Sequence, residues 1–324
     1  MADIQTPKLR EIIDALNAGR AEIKKVIRGQ ESLIDMMLTA LLAGGHALLE
    51  GVPGTAKTLS VRTLAMTLSC RAKRVQFTPD LMPSDILGTT VFTPGSNAFH
   101  LHEGPIFTDL LLADEINRAP AKTQSALLEA MSERHVTIDG QRHLLSPVFT
   151  VFATQNPVEF EGTYPLPEAQ QDRFLIKIPV DYPDDVAERE LLNAIDQGHP
   201  PDRLETSGIT AVLTMEQLTS ARDSLALVRV EPAILEYLMT LVRATRKHES
   251  IVLGGGPRAS IALLTCGKAW ALIHGRDFVT PDDIARLVEP VLAHRITLSA
   301  DAEVAGTRKM EVLGQIMESL EVPR

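Results

Sequence analysis

The first half of the chain alternates short apolar segments with stretches of helical periodicity, and this alternation limits the possible folds more than any other feature. A helical pattern at 119–134 separates two apolar segments, and two further helical stretches, 8–27 and 30–43, precede the first one. Strands that alternate with helices favour a parallel sheet covered by helices on both faces. The predicted strands are 46–51, 74–78, 110–114, 149–155 and 174–180.

Two segments interrupt this alternation and predict β-hairpins inserted into the α/β core. Segment 91–104 has two extended pieces around a Pro-Gly-Ser-Asn turn, and segment 135–145 alternates around Asp139-Gly140. An Asp-Gly pair is typical of the two-residue type I′ hairpin turn. From sequence statistics alone, surface decoration is favoured over exposed functional fingers.

The strand pattern largely ends after residue 185, and helical patterns follow at 231–248, 257–275 and 280–296. The last of these opens with Thr280 as a cap and Asp283 in the capping-box position. We therefore predict two domains. An α/β domain spans 1–183 with its N-terminal helices and both hairpins, and a smaller all-α domain spans 184–324.

Composition narrows the class of protein. The chain has 324 residues and a formal net charge of −10, which disfavours non-specific attraction to DNA or acidic membranes. Aromatic residues make up 4%, which is little material for stacking on single-stranded nucleic acid. Cys70 and Cys266 have no metal or redox spacing, and no apolar run reaches the ~18 residues of a membrane span. We expect a soluble cytoplasmic protein.

The first predicted strand leads into GVPGTAKT (51–58), which departs from the pattern G-x-x-x-x-G-K-[ST] only at Ala56. Such loops bind phosphate through inward-pointing backbone N–H groups and the positive end of the following helix. Lys57 would contact the β- and γ-phosphates, and the Thr58 hydroxyl would bind Mg²⁺. Ala56 costs little if its φ is negative and ~1–2 kcal/mol if it is positive.

Polar residues follow two later strands. Asp114 and Glu115 stand at the carboxyl end of an apolar strand, where ligands bind in α/β sheets. Asp114 suits Mg²⁺ coordination through water, and Glu115 suits polarising the water that attacks the γ-phosphate. Asn156 follows the next strand and could orient that water. An Asp-Glu pair at a strand end is common by chance, but its occurrence with the loop makes chance a poor explanation.

Three further positions have competing interpretations. Arg258 begins a helix, where the dipole disfavours a cation unless an anion neutralises it, and a surface arginine is the alternative. His100 and His102 share one face of a predicted strand. A metal would need two more ligands, so a polar hairpin face is the favoured interpretation.

Taken together, these segments resemble the MoxR family of AAA+ ATPases, of the helix-2-insert type. The likeness covers nearly the whole chain, and this family commonly has Ala-Lys-Thr in the loop. The resemblance therefore implies that the Ala56 loop is a working variant. The matching strings are GVPGTAKT, GPIFTDLLLADEINRAP, QSALLEAMSERHVTIDG, VFATQNPVEFEGTYPLPEAQQDRF, ATRKH, GPRASIALL, GRDFVTPDD and HRI.

The resemblance implies a site for ATP and Mg²⁺. Lys57 and Thr58 match Walker A, Asp114 and Glu115 match Walker B, and Asn156 matches sensor 1. Thr58 and Asp114 would hold the metal. The other implied nucleotide-binding residues are Gly29 and Gln30, near the adenine, and Gly51, Pro53, Gly54, Thr55, Ala56 and Leu59.

The resemblance to the MoxR family also implies an assembly of several subunits. Arg258 matches sensor 2, and Arg173 lies where an arginine finger would reach the nucleotide of a neighbouring subunit, in a ring that is usually a hexamer. The two hairpins match the helix-2 insert and the pre-sensor-1 hairpin, so the functional interpretation of these fingers now outweighs decoration. Gly256 departs from the family, which more often has Ser before the Pro-Arg.

The resemblance implies an ATP-driven ring that remodels or matures partner proteins, including metal or cofactor insertion. A von Willebrand factor A-domain protein and a client protein are the expected partners. The alternatives are a nucleic-acid motor of the same clade, which the acidic composition disfavours, and a magnesium-chelatase-like ATPase subunit. A nucleotide-binding scaffold without turnover is a further alternative, and Glu115, Asn156 and Arg173 count against it.

Overall fold

A computed structural model of the chain describes residues 7–95, 97–157, 163–198, 203–204 and 207–323. The part of the family string at 158–162 therefore lies outside the described residues, as does residue 96 in the first predicted hairpin. Among the helices that the structure describes, none is long and apolar enough to cross a membrane.

The first part of the chain forms the predicted α/β unit. In chain order its elements are α1 (Pro7–Lys24), α2 (Glu31–Leu42), β1 (Ala47–Glu50), α3 (Lys57–Thr67), β2 (Leu68–Ser69), β3 (Ala72–Gln76), α4 (Pro83–Leu87), β4 (Gly88–Thr93), β5 (Ala98–Glu103), β6 (Leu110–Asp114), α5 (Ala121–Glu133), β7 (His135–Ile138), β8 (Gln141–Leu144), β9 (Thr150–Gln155), α6 (Glu168–Gln171) and β10 (Ile176–Pro179).

The remainder is mainly helical, as predicted, with short strand pairs in addition. Strand β11 pairs with β2, and β12 pairs with β13. In chain order these elements are α7 (Asp185–Asp196), β11 (Leu213–Thr214), α8 (Met215–Ser224), α9 (Pro232–Thr245), β12 (Ile251–Leu253), α10 (Pro257–Ile273), α11 (Pro281–Leu292), β13 (Thr297–Leu298), α12 (Ala300–Val304) and α13 (Lys309–Glu318).

The five predicted strands form one parallel sheet in the order β10-β1-β9-β6-β3. Successive side chains of β6 enter two different cores, because strand residues point alternately to opposite faces. Leu110 and Leu112 share a core with α1, α2, α3 and the helices after α8, whereas Leu111 and Ala113 share one with α5. Because helices cover both faces of β6, residues 110–113 are all apolar instead of alternating with polar residues.

Strand β3 begins two residues before the predicted segment and carries the exposed residues Ala72, Lys73 and Arg74. It lies at the edge of the sheet, where charged side chains are tolerated and also block pairing with other strands. The polar start of this strand explains why apolar periodicity placed it too late in the chain.

Both predicted hairpins are present. Strands β4 and β5 pair antiparallel, as do β7 and β8. Asp139 and Gly140 have φ of 48° and 78°, the positive values that a type I′ turn requires. The Thr90 hydroxyl of the first hairpin donates to the Asp139 carboxylate in the turn of the second. The two hairpins therefore contact each other, and their projection towards a ring axis stays a prediction.

Candidate functional site

The glycine loop joins β1 to α3 along the carboxyl edge of the sheet. A Cβ on Gly51 would lie 2.2 Å from the Val180 carbonyl oxygen, so only glycine permits this close approach of two backbones. Gly54 has a φ of 85° and nothing within 4 Å of its Cβ position, so its place in the loop depends on backbone conformation. The loop borders a cavity of about 540 Å³.

Ala56 precedes α3 with φ 61° and ψ 18°, the left-handed conformation. Of the two cases that the sequence left open, this is the costly one, at roughly 1–2 kcal/mol. The Ala56 carbonyl accepts hydrogen bonds from the backbone N–H and the hydroxyl of Ser60, at 2.8 and 2.9 Å. The strained residue thus caps the N-terminus of the helix that carries Lys57 and Thr58.

Lys57 is buried at the mouth of the loop. Its Nζ donates to the carbonyl oxygens of Gly51 and Val52, both at 2.6 Å. These contacts hold the ammonium group against the inner side of the loop and beside the cavity that Lys57 lines. A positive charge at this position suits an anionic ligand.

Thr58 and Asp114, the two residues predicted to hold the metal, contact each other in the cavity. The Thr58 hydroxyl lies 3.0 Å from both carboxylate oxygens of Asp114. Thr154, near the end of β9, donates its hydroxyl to Oδ1 of Asp114 at 2.6 Å and accepts the Glu115 N–H at 2.9 Å. Thr154 was not predicted, although it precedes Asn156 by only two residues at the same sheet edge.

Glu115 lies beyond the strand with φ 56° and ψ 53°, also left-handed. Its Oε2 accepts from Nε2 of Gln76 at 2.8 Å and forms an ion pair with Nε of Arg118 at 3.1 Å. Asn156 is buried, lines the same cavity, and accepts a hydrogen bond at its backbone carbonyl from the Asn117 amide at 3.3 Å. The cavity therefore brings together both strand-end acids and the amide.

A second wall of the cavity is apolar and comes from the link between α1 and α2, from α7 and from the segment just before α7. It includes Val26, Ile27, Pro183, Ala187 and Leu191. With the polar loop opposite, this wall suits a ligand that has an apolar planar part and an anionic part. The predicted residues that line the cavity are Gln30, Pro53, Gly54, Thr55, Ala56, Lys57, Thr58, Leu59, Asp114, Glu115 and Asn156.

Gly29 and Gly51 were predicted to bind the ligand, but neither residue lines the cavity. A Cβ on Gly29 would lie 2.2 Å from Cβ of Ala187, and the φ of Gly29 is 67°. Gly29 thus permits α7 to approach the link between α1 and α2. Next to it, Nε2 of Gln30 lies 3.5 Å from the Thr55 carbonyl and 3.4 Å from the Asp181 carbonyl.

The two predicted arginines do not line this cavity. Nη1 of Arg173 donates to the Leu128 carbonyl at 3.1 Å and to the Ser132 hydroxyl at 2.6 Å, both on α5. Arg258 is exposed and lies 3.3 Å from Asp172. Because Asp172 precedes Arg173 directly, the structure brings both arginines to one region of the surface.

Arg74 and Gln76 contribute to the site from β3, and the sequence did not predict either. Both side chains line the cavity, and Arg74 donates two hydrogen bonds to Asp114, from Nε at 3.1 Å and Nη2 at 2.7 Å. The register pairs Gln76 with Asp114 across β3 and β6. The pairing of β3 with β6 places Arg74 and Gln76 at the site. No local sequence pattern predicts that pairing.

Comparison with known proteins agrees with this architecture. Residues 46–176 match the model of the ATPase family associated with various cellular activities (AAA), and residues 243–316 match the AAA lid domain. A putative ATPase from Cytophaga hutchinsonii has the same fold, with a TM-score of 0.89 and 38% identity over 98% of this chain and 97% of its own.

Curated relatives match over most of their length. The chain is 45% identical to the uncharacterized protein YeaC of Bacillus subtilis, over 93% of this chain and 92% of that protein. It is 42% identical to the chaperone MoxR1 of Mycobacterium tuberculosis, over 94% and 81%. It is 30% identical to the protein MoxR of Methylorubrum extorquens, over 95% and 94%. With the glycine loop, the strand-end acids and the lid all in place, the chain belongs to the MoxR family of AAA+ ATPases.

Proposed function

We propose that the chain binds ATP with Mg²⁺ in this cavity and hydrolyses it. The observation that carries the proposal is the contact of Thr58 with Asp114, because it joins the first turn after the glycine loop to the end of β6 beside Lys57. Loop N–H groups and Lys57 would hold the phosphates, and the apolar wall with Gln30 would hold the adenine.

The donor set fits a magnesium ion. Mg²⁺ prefers oxygen ligands and usually combines one or two carboxylates with phosphate and water oxygens. Thr58 and Asp114 supply a hydroxyl and a carboxylate, and the described residues include no group of three or more His, Cys, Asp or Glu that could hold a metal alone. The ion would neutralise charge on the phosphates that Lys57 and the loop N–H groups would hold.

Glu115 is proposed as the general base and Asn156 as the residue that orients the attacking water. A carboxylate at hydrogen-bond distance from a water can take up its proton as the oxygen attacks phosphorus. Glu115 is now engaged by Gln76 and Arg118, so binding a water requires at least one of these partners to move away. The amide of Asn156 carries no charge and would fix the direction of the water without competing for the proton.

A ring of subunits, with six as the expected number, is proposed to complete the site. Arg173 and Arg258 are exposed, lie close to Asp172 and do not line the cavity of their own chain. For Arg173 this placement supports a role on a neighbouring subunit, where its guanidinium would neutralise the transferring phosphoryl group, whereas Arg258 is proposed as sensor 2.

The physiological task proposed is chaperone-like remodelling or maturation of client proteins in the cytoplasm, together with a von Willebrand factor A-domain protein. The name of the Mycobacterium relative, chaperone MoxR1, supports the general class of task. Metal or cofactor insertion into a client is the more specific form. Glu115→Gln loaded with ATP should co-purify with such an A-domain protein expressed beside it; no co-purification in the ATP state would contradict this partner.

The domain boundary between residues 183 and 184 also stays a prediction. Helix α7 follows it directly and contributes Ala187 and Leu191 to the cavity, whereas the region matched to the AAA lid begins at residue 243.

Nucleotide binding is the first step that the proposed ATPase activity requires. Lys57→Ala removes the charge that would contact the phosphates, so ATP affinity measured by calorimetry should fall by at least about tenfold. Lys122→Ala on α5 removes an exposed lysine elsewhere and serves as the control, which should bind as the wild type does. Unchanged affinity in Lys57→Ala would refute the assignment.

A further inference from the structure

Arg74 forms an ion pair with Asp114 at 2.7 Å. It lies on the edge strand β3, and its guanidinium donates from Nε and Nη2 to the same carboxylate oxygen, Oδ2, at 3.1 and 2.7 Å. The Asp114 side chain is only 7% exposed, whereas that of Arg74 is 52% exposed. The carboxylate is thus fixed in the protein, while the arginine has room to move into solvent.

Both oxygens of the Asp114 carboxylate accept hydrogen bonds. Oδ2 accepts from Arg74, Oδ1 accepts from Thr154, and the single hydroxyl hydrogen of Thr58 lies within reach of both oxygens. The two threonine hydroxyls are neutral and can remain beside a cation. A guanidinium cannot, because two like charges that share one carboxylate oxygen repel each other in a partly buried site.

We propose that Arg74 is a positioning residue that neutralises Asp114 while the metal is absent and must release it before Mg²⁺ can bind. This inference rests on the proposed function, since it takes Thr58 and Asp114 as the metal ligands. Metal binding is then a competition: the ion pair lowers the fraction of molecules that can accept the ion, and the apparent metal affinity falls by that fraction.

The hydrogen bonds of Arg74 also connect it, through Gln76, to Glu115. Nη2 of Arg74 also donates to Oε1 of Gln76 at 2.8 Å, and Nε2 of Gln76 donates to Glu115 at 2.8 Å. When Arg74 leaves, Gln76 loses the hydrogen bond that fixes its amide. Release of the metal ligand therefore loosens the hold on Glu115 as well.

Metal affinity tests the inference without any measurement of turnover. The probe is Mn²⁺ in the presence of saturating ADP, with unbound Mn²⁺ measured by electron paramagnetic resonance. An ion pair with one half-exposed partner, as here, contributes up to ~1 kcal/mol, so Arg74→Gln should bind Mn²⁺ about two- to fivefold more tightly than the wild type. Arg74→Lys keeps the charge but loses the paired donors, and should fall between the two.

Arg62→Gln is the matched control. Arg62 is an exposed residue of α3 that lines the groove next to Arg74, and it has the same charge. Its removal should leave Mn²⁺ affinity unchanged. Unchanged or weaker Mn²⁺ binding in Arg74→Gln would overturn the inference, and so would equal tightening in Arg62→Gln, which would indicate net charge alone. A wild type without any Mn²⁺ binding alongside ADP would instead contradict the proposed function.

Discussion

Two residues at the candidate site, Ala56 and Glu115, have left-handed backbone conformations with φ of 61° and 56°. For residues with a Cβ this conformation costs roughly 1–2 kcal/mol, and such strain concentrates at functional sites. One residue begins the helix that carries Lys57, and the other places a carboxylate beyond the end of β6. Glycine would adopt this conformation at lower cost at both positions. The packing around the cavity therefore stabilises the strained conformation of Ala56 and Glu115.

Ala56→Gly should relieve this strain and raise the free energy of unfolding. We expect a gain of about 1 kcal/mol, the strain less the larger entropy that glycine gives to the unfolded chain. Urea unfolding measures the difference. Ala65→Gly in the same helix, where φ is not positive, is the control and should lose about 0.5–1 kcal/mol. A loss in Ala56→Gly similar to that in Ala65→Gly would contradict the strain.

The sequence predicted which residues of the site carry charge, but not all of their contacts. Lys57, Thr58 and Asp114 lie together as expected, because the loop and the strand end share one edge of a parallel sheet. The φ of Ala56 depends on how the loop closes over the neighbouring strands. Arg74 meets Asp114 through the register of β3 and β6, which no local pattern encodes.

Apolar periodicity predicted all five strands of the sheet, with β3 displaced by two residues, and the turn residues predicted both hairpins. It did not locate the side chains that join one element to another. His46, just before β1, accepts the Val151 N–H at Nδ1 at 2.9 Å, so Nε2 carries the hydrogen and donates to the Met131 carbonyl at 3.1 Å. This buried ring links the sheet to the last turn of α5.

Buried neutral histidines should make stability depend on pH. Burial, with the positive charge of Arg134, lowers the pKa of His46 to about 3, and burial with Arg295 does the same for His294. In the unfolded chain each has a pKa near 6.5, so between these values only the unfolded state binds the protons. Stability is therefore lost as pH falls from about 6.5 towards 3, by up to about 1.4 kcal/mol per pH unit for each ring.

Urea unfolding of His46→Gln between pH 7.5 and 5 tests this dependence. The variant removes one of the two rings, so its stability should fall less steeply with decreasing pH than that of the wild type. His100→Gln, at an exposed position on β5, should keep the wild-type slope. A wild-type slope in His46→Gln would contradict the assignment of a neutral buried ring.

For the whole molecule, the helical part is attached to the sheet by buried polar contacts next to the two exposed arginines. The Arg295 side chain is 5% exposed and pairs with Asp172 at 2.8 Å, while Nη2 donates to the Phe174 carbonyl at 2.8 Å. The same Asp172 contacts Arg258. Asp172, directly before Arg173, therefore joins this surface to two arginines of the helical part, Arg258 and Arg295.

Mixed assemblies test whether Arg173 acts on a neighbouring subunit. An arginine finger contributes roughly 10³–10⁵ in rate, so Arg173→Ala should bind ATP and lose most hydrolysis. Lys57→Ala should be inactive for a different reason. Mixing the two inactive proteins pairs an intact loop from one with an intact Arg173 from the other, and part of the ATPase activity should return. Full activity in a strictly monomeric Arg173→Ala protein would end the ring assignment.

ATP turnover by Glu115→Gln, measured together with ATP binding, tests whether this cavity hydrolyses ATP with Glu115 as the base. The amide keeps the size of the side chain and loses the charge that accepts the proton. The wild type should turn over ATP with Mg²⁺, and Glu115→Gln should bind ATP equally well while turnover falls by about 10²–10⁴. Glu129→Gln, at an exposed position on α5, should retain wild-type turnover. Near wild-type turnover in Glu115→Gln would show that Glu115 is not the base.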